Sequence, residues 1–116
     1  MAKILSVSYD EALLTTRQQI LESRGHSVTS ARGFDNASHL CDSDTEFDLF
    51  IIGHSVPRAQ REVLIEGFHA RRPDAPVIAL KLYGQEQVKG ASLSIEPNPA
   101  ELVSAVAKLT GTETTT

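Results

Sequence analysis

The fold is decided by residues 47–57, which read FDLFIIGHSVP. Leu49 to Ile52 form an unbroken apolar run of the kind found in strands that are covered on both faces. Such strands belong to parallel sheets whose connecting helices pack on both sides. The run ends at Gly53, and a polar His-Ser pair follows it. The stretch therefore predicts a central strand of an α/β domain and the loop after it.

Further strand candidates lie on either side of this segment. Residues 76–80 (PVIAL) form a second apolar strand and residues 3–7 a short strand, whereas residues 26–31 and 92–95 are weaker candidates. Helical segments separate most of them, and such alternation produces a parallel sheet with helices on both faces. Right-handed crossovers leave few topologies. We predict a flavodoxin-like three-layer sandwich with a five-stranded parallel sheet of order 2-1-3-4-5, in which the two most apolar strands are central neighbours.

The first helix has clear signals at both ends. Asp10 is expected to be its N-cap, and Gly25 suits a C-cap that needs a positive φ angle. Its buried face is assigned to three apolar residues, Leu13, Ile20 and Leu21. Arg17 is expected to be turned away from the core.

The other helices are bounded by similar signals. Asp35 or Asn36 is expected to cap the second helix, and the third is predicted over residues 59–70. The inner side of the third helix is assigned to Val63, Leu64, Gly67 and Phe68. Pro99 suits the first turn of the last helix, and Gly111 suits its end.

The composition excludes several classes of function. A chain of 116 residues is one domain by length, and a net charge of −4 argues against a nucleic-acid-binding domain, which usually shows a basic stripe. Cys41 is the only cysteine, so no internal disulfide points to an oxidising compartment. No leader opens the chain, and no apolar run approaches the roughly 18 residues of a membrane span. We therefore expect a cytoplasmic protein without nucleic-acid or membrane partners.

The working site of such a sheet lies beyond the C-terminal ends of its strands. The residues that follow the predicted strands are the candidates for this site: Ser8, Tyr9, Asp10, Gly53, His54, Lys81 and Glu96. The histidines lack metal-binding spacing on one helix, and no glycine-rich phosphate motif is present. We therefore expect no metal, no cofactor and no catalytic residue.

Several segments resemble the receiver domains of bacterial response regulators. Residues 3–10 (KILSVSYD) resemble the family's opening K-I-L-I/V-V-D-D-E, and residues 20–28 (ILESRGHSV) resemble I-L-E-x-x-G-Y/H-x-V. Residues 47–57 are similar to the family's central strand, in which D-L and three apolar residues precede an aspartate and a later proline.

The resemblance continues to the end of the last helix. Residues 76–81 (PVIALK) are similar to P-V-I-x-L/V-T, and residues 95–97 (IEP) to V-K-P. The match implies a receiver-like domain over residues 1–111, and the polar residues 112–116 are expected to form a disordered tail. The short segment 82–89 implies that the family's fourth helix, between the fourth and fifth strands, is shortened or absent here.

The chain departs from the family at its reactive positions. Ser8 and Tyr9 stand where the family keeps two acidic residues that hold Mg²⁺, and Gly53 replaces the phosphate-accepting aspartate. Lys81 replaces a hydroxyl residue and Glu96 replaces a lysine. The resemblance thus implies a degenerate phosphorylation pocket made of Ser8, Tyr9, Asp10, Gly53, Lys81 and Glu96. Lys81 and Glu96 either form an ion bridge or are separately solvated rim charges.

These observations favour a pseudo-receiver that is not an enzyme. It is expected to act in bacterial two-component or phosphorelay signal transduction by phosphorylation-independent contact with a protein partner, as a monomer or homodimer. The alternative is a small-molecule-sensing flavodoxin-like domain that uses the vacated pocket near Gly53. A third reading is a weak hydrolase that uses His54 or Ser55.

Overall fold

The computed structural model describes residues 2–81, 90–96 and 98–111. The strands are β1 (Lys3–Ser8), β2 (Ser27–Arg32), β3 (Leu49–Ile52), β4 (Val77–Leu80) and β5 (Leu93–Ile95). The helices of the described part are α1 (Glu11–Glu22), α2 (Gly33–Cys41), α3 (Arg58–Arg71) and α4 (Pro99–Thr110). The sheet has five parallel strands in the order β2-β1-β3-β4-β5, which confirms the predicted fold.

Two sequence predictions concern residues outside the described ranges. The shortened or absent helix between β4 and β5 falls on residues 82–89, and the tail falls on residues 112–116. None of the helices within the described ranges is both long enough and apolar enough to cross a bilayer.

Alternating strand residues place the core on both faces of the sheet. Leu5 and Phe50 belong to the cluster that packs with α2 and α3, whereas Ile4 and Ile51 belong to the cluster that packs with α1 and α4. Side chains of successive strand residues point to opposite faces, so an unbroken apolar strand serves two cores. This explains why β3 and β4 are apolar throughout and buried at every position.

The helix ends follow the sequence signals at four predicted positions. The Leu13 N–H donates to Asp10 Oδ1 at 3.2 Å, which confirms Asp10 as the N-cap of α1. Pro99 lies in the first turn of α4, and Gly111 ends that helix with φ of 70°. Gly25 follows α1 with φ of 90°, a conformation that glycine adopts without strain.

Two helix predictions were wrong in detail. Helix α2 begins at Gly33, and no side chain caps it, because the positive φ of Gly33 turns the chain directly from β2 into the helix. In α3 the side chain of Val63 is 55% exposed, while Ile65 is buried and lies against Gly90. The buried face of α3 is therefore rotated from the predicted one.

A third correction concerns α1. Its buried residues are Leu14, Arg17 and Leu21, so Arg17 does not point into solvent as predicted. These positions have the spacing i, i+3 and i+7, which is one stripe of a helix. The arginine thus lies in a stripe that apolar residues would normally fill.

Arg72 stabilises the loop between α2 and β3. Its guanidinium donates to the carbonyls of Cys41 at 2.9 Å, Ser43 at 3.0 Å and Thr45 at 3.1 Å. The same group lies over the rings of Phe47 and Phe68, 5.3 and 5.1 Å from their centroids. One side chain therefore holds the connection between α2 and β3 at the N-terminal end of the strands.

The buried His26 should make stability depend on pH. The Ala2 N–H donates to His26 Nδ1 at 3.2 Å, so this nitrogen must be unprotonated in the folded state. Burial lowers the pKa of His26 from the ordinary value of 6.5. The unfolded chain then binds the proton more readily, so the free energy of unfolding should fall as pH drops below about 6.5.

Urea unfolding between pH 7.5 and pH 5 measures this effect. The His26→Gln variant should lose that part of the pH dependence, whereas His39→Gln, at an exposed position of α2, is the matched control. An unchanged pH profile in His26→Gln would contradict the assignment.

Candidate functional site

The predicted site residues lie at one edge of the sheet, as expected. We call this edge the crest; it consists of residues at or just after the C-terminal ends of the strands, namely Ser8, Tyr9, Asp10, Gly53, His54, Ser55, Lys81 and Glu96. Ser8 and Gly53 are buried, Lys81 is half-buried, and Tyr9, Asp10 and Glu96 are exposed. The sheet therefore brings the candidates to a common edge but gives them different environments.

Gly53 lies in close contact with the end of β1. Its N–H donates to the Val7 carbonyl at 2.8 Å. A Cβ atom built on Gly53 would lie 3.0 Å from that carbonyl oxygen and 3.2 Å from Ser8 Cβ. These distances are shorter than ordinary van der Waals contacts. A residue with a side chain would fit here only if the two strand ends shifted.

The third neighbour of Gly53 is Arg17, which sequence reasoning had placed in solvent. Its Nη1 atom would lie 3.0 Å from the Cβ of any residue at position 53. Helical side chains lean toward the N-terminus of their helix. That direction takes the Arg17 guanidinium from the second turn of α1 up to the crest. The space beside Gly53 is thus occupied by a cation.

The Arg17 side chain is buried without a hydrogen-bonding partner for one of its nitrogens. The residue is only 5% exposed, and Nη1 has no partner in the structure. Burial lowers the pKa of Arg17, and the negative charge of Asp10 opposes this shift. Because guanidinium stays protonated at physiological pH, the folded protein holds a poorly compensated charge at this place.

Hydroxyl groups connect the two loops of the crest. Ser8 Oγ and Ser55 Oγ lie 3.0 Å apart, within hydrogen-bonding distance. The Tyr9 N–H donates to Ser55 Oγ at 3.0 Å, and the Asp10 N–H donates to Ser8 Oγ at 3.0 Å. The loop after β1 is therefore joined to the loop after β3 by direct hydrogen bonds. We call this group of Ser8, Tyr9, Asp10 and Ser55 the hydroxyl clasp.

Tyr9 extends the clasp to two helices. Its hydroxyl donates to Gln60 Oε1 at 2.6 Å and accepts from the Phe34 N–H at 3.3 Å. A Cβ on Gly33 would lie 3.3 Å from the Tyr9 ring, and Gly33 has a positive φ of 84°. The glycine thus allows the ring to approach the start of α2. One tyrosine links α2, α3 and the end of β1.

Lys81 and Glu96 lie on the other side of the crest. The Lys81 N–H donates to the Ile95 carbonyl at 2.8 Å, so the ends of β4 and β5 are neighbours as predicted. Exposed ion pairs join Arg32 to Glu11, Arg58 to Glu62, and Arg71 to Asp44. The ion bridge between Lys81 and Glu96 stays a prediction.

The donor set of the crest does not fit a divalent ion. Mg²⁺ requires octahedral oxygen ligation that usually includes one or two carboxylates. Asp10 already caps α1, and no group of three acidic, histidine or cysteine residues suited to a metal occurs in the described ranges. The Arg17 cation beside Gly53 would also repel the ion.

Comparisons with solved structures identify the architecture. Structures that match nearly the whole chain are titled response regulators or receiver domains. The fold is that of a receiver domain. A CheY-like receiver domain protein from Methanospirillum hungatei superposes with a TM-score of 0.82 at 24% identity, covering 97% of this chain and 95% of its own.

Two further structures give the same result. A receiver domain protein from Clostridium thermocellum has a TM-score of 0.82 at 18% identity, covering 97% of this chain and 96% of its own. The response regulator TrrA from Thermotoga maritima, solved with Mg²⁺ and BeF, has a TM-score of 0.79 at 20% identity, covering 94% and 99%. No protein-family model matches the chain. No curated protein matches it either.

Sequence reasoning missed the residues that fill this receiver-like crest. Ser55 was considered only as a hydrolase candidate, although it joins the two loops. Arg17 was placed in solvent because Leu13 and Ile20 suggested a different buried face. The signal that identifies it is the spacing of Leu14, Arg17 and Leu21. An arginine in the buried stripe of a helix indicates a specific environment for its charge.

Removing the Arg17 charge should stabilise the fold. Methionine keeps the unbranched stem and helix propensity of arginine but needs no hydrogen-bonding partner. We expect Arg17→Met to raise the free energy of unfolding by about 1–3 kcal/mol, because replacing a buried charge with a well-packed apolar group is often stabilising. Urea denaturation monitored by circular dichroism measures the change.

The control is Arg58→Met in α3. Arg58 is exposed and lies 3.7 Å from Glu62, so its removal should change stability by less than about 1 kcal/mol. If Arg17→Met were instead destabilising, the guanidinium would have to be well compensated in the folded state.

Proposed function

We propose that this chain is a pseudo-receiver: a receiver-like domain of bacterial two-component or phosphorelay signalling that has lost its phosphorylation chemistry. It acts in the cytoplasm by contact with a protein partner, as a monomer or homodimer, and it is not an enzyme. The receiver fold, found over nearly the whole chain, supports the first part of this proposal.

The observation that carries the proposal is the environment of Gly53. In the family that the sequence resembles, this position holds the aspartate that accepts phosphate. A glycine offers no nucleophile, and acyl-phosphate formation needs a carboxylate. A Cβ atom at this position would lie 3.0 Å from both Arg17 Nη1 and the Val7 carbonyl oxygen, so these neighbours would have to move slightly to admit a side chain. The proposed loss of phosphorylation chemistry therefore involves the residues around Gly53 as well as its missing side chain.

The hydroxyl clasp supports a signal-independent state. In a switching domain the crest loops are held by contacts that form and break with the signal. Here Ser8 and Ser55 connect the two loops directly, and Tyr9 connects them to Gln60. These bonds need no added ion or phosphoryl group. A partner would thus meet the same surface whether or not a phosphate donor is present.

The non-enzymatic reading is supported by the surroundings of Ser55. Its hydroxyl is engaged by the Tyr9 N–H and by Ser8 Oγ. A nucleophilic serine needs an adjacent base, and no hydrogen bond joins His54 to Ser55 in the described part of the chain. Small-molecule sensing remains the second candidate, because Arg17 offers an unused donor near Gly53.

A phosphorylation assay tests the central claim. The purified chain should gain no phosphoryl mass at the crest when it is incubated with acetyl phosphate and Mg²⁺, as intact-mass spectrometry would show. The Gly53→Asp variant should also remain unmodified, because the metal ligands are missing and Arg17 would pair with the new carboxylate. A receiver domain that retains its aspartate serves as the positive control. A phosphoryl adduct on the crest of the unmodified chain would overturn the proposal.

Capture experiments test the proposed mode of action. The immobilised protein should retain the same partner from lysate of the native cell with or without acetyl phosphate, and to the same extent. The Tyr9→Phe variant removes the hydroxyl bonds to Gln60 and Phe34 while keeping the ring, so it should alter capture if the clasp shapes the partner-binding surface. A partner retained only after phosphate-donor treatment would contradict phosphorylation-independent binding.

A further inference from the structure

A cleft between α1 and α4 has Arg17 in its wall. The rest of the lining is mostly apolar and comes from both helices and from the end of β4 (Leu13, Ile20, Leu80, Pro99 and Leu102), with Thr16 and Asn98 as its polar members. The cavity measures about 60 Å³. We propose that this cleft binds a short-chain aliphatic carboxylate of about four to six non-hydrogen atoms, with its carboxylate at the Arg17 guanidinium.

The unpartnered nitrogen of Arg17 favours the binding of an anion. Nη1 makes no hydrogen bond, and the side chain is 95% buried, since only 5% is exposed. Buried charges in proteins are normally paired and hydrogen-bonded. Guanidinium matches a carboxylate in shape, because two parallel N–H groups meet two oxygens. A bound carboxylate would therefore supply the partner that the chain itself does not.

The nearest acidic side chain does not fill this role. Asp10 acts on Arg17 through its charge, but its Oδ1 accepts the Leu13 N–H at the start of α1. No ion pair joins Asp10 to Arg17 among the described residues. The guanidinium therefore keeps a donor for a ligand.

The sheet register connects the donor to the cleft. Ile52 pairs with Ala79, and the next residues along the chain are Gly53 and Leu80. Arg17 Nη1 approaches Gly53, and Leu80 lines the cleft. The unpartnered nitrogen and the apolar wall therefore lie at the ends of neighbouring strands, where one small carboxylic acid could contact both.

The size of the cleft limits the ligand. One water needs about 10–15 Å³ of such volume, so about 60 Å³ holds roughly four to six small groups. Propionate has that size, whereas a sugar or a nucleotide does not fit. Apart from Thr16 and Asn98 the lining beside Arg17 is apolar, which favours a hydrocarbon tail over sulfate or phosphate, since these carry polar oxygens on every side. Charge and tail are both required for recognition.

The proposal does not depend on the signalling role. It assigns a ligand to a cleft of this chain, and a pseudo-receiver with or without a protein partner can hold it. Because α1 and α4 both contribute walls, a bound acid would brace the two helices against each other. A failure of phosphate transfer or of partner capture leaves this prediction untouched.

Titration with sodium propionate tests the proposal. At constant ionic strength, backbone amide shifts in ¹⁵N–¹H spectra should saturate in the millimolar range for residues around Leu13, Leu80 and Leu102. Propionamide has the same shape without the charge, and it should bind at least about tenfold more weakly. Sodium sulfate, which has the charge without the tail, should give no saturable shift at these residues.

Variants provide the second arm of the test. Arg17→Met should weaken propionate binding at least about tenfold. The variant should still fold, because the substitution removes a buried charge. Arg24→Met, at an exposed position just beyond α1, should bind propionate like the unmodified chain. Equal binding of propionate and propionamide, equal shifts with sulfate, unchanged binding in Arg17→Met, or no saturable shift at all would each overturn the proposal.

Discussion

The crest of this protein depends on one buried cation. Arg17 is in the inward stripe of α1, and its Nη1 atom would lie 3.0 Å from a Cβ atom on residue 53. A guanidinium so close to this position disfavours a carboxylate-metal pocket, since its positive charge would repel the metal. The glycine and the arginine are therefore two parts of one arrangement, in which the missing side chain leaves room for the charge.

The hydroxyl clasp connects the two loops of the crest. Loops at the C-terminal ends of parallel strands need connections of their own, because the sheet hydrogen bonds stop there. Ser8 and Ser55 provide these with uncharged groups, and Tyr9 anchors the result to Gln60 and to the start of α2. Uncharged hydrogen bonds of this kind require neither a metal nor a particular ionic environment.

The fold was predictable because it depends on patterns that repeat along the chain. The apolar runs at Leu49 and Val77, the caps at Asp10 and Gly111 and the regular alternation of elements all act locally. The interior of the crest was less predictable, because it depends on which face of α1 turns inward. The sequence pattern allows either Leu13 or Leu14 to lie on the buried face. If Leu14 is buried in place of Leu13, the helix is rotated so that Arg17 moves from solvent into the core. Single-sequence patterns do not resolve such a rotation.

The contacts of Arg72, at the N-terminal end of the strands, indicate which substitutions the loop between α2 and β3 should tolerate. Its guanidinium holds the connection between α2 and β3 through the carbonyl oxygens of Cys41, Ser43 and Thr45, which every amino acid possesses. A change of side chain at Ser43 or Thr45 would therefore leave the acceptors of Arg72 in place. Phe47 and Phe68 should tolerate substitution less well, because their rings form the surface that the guanidinium contacts.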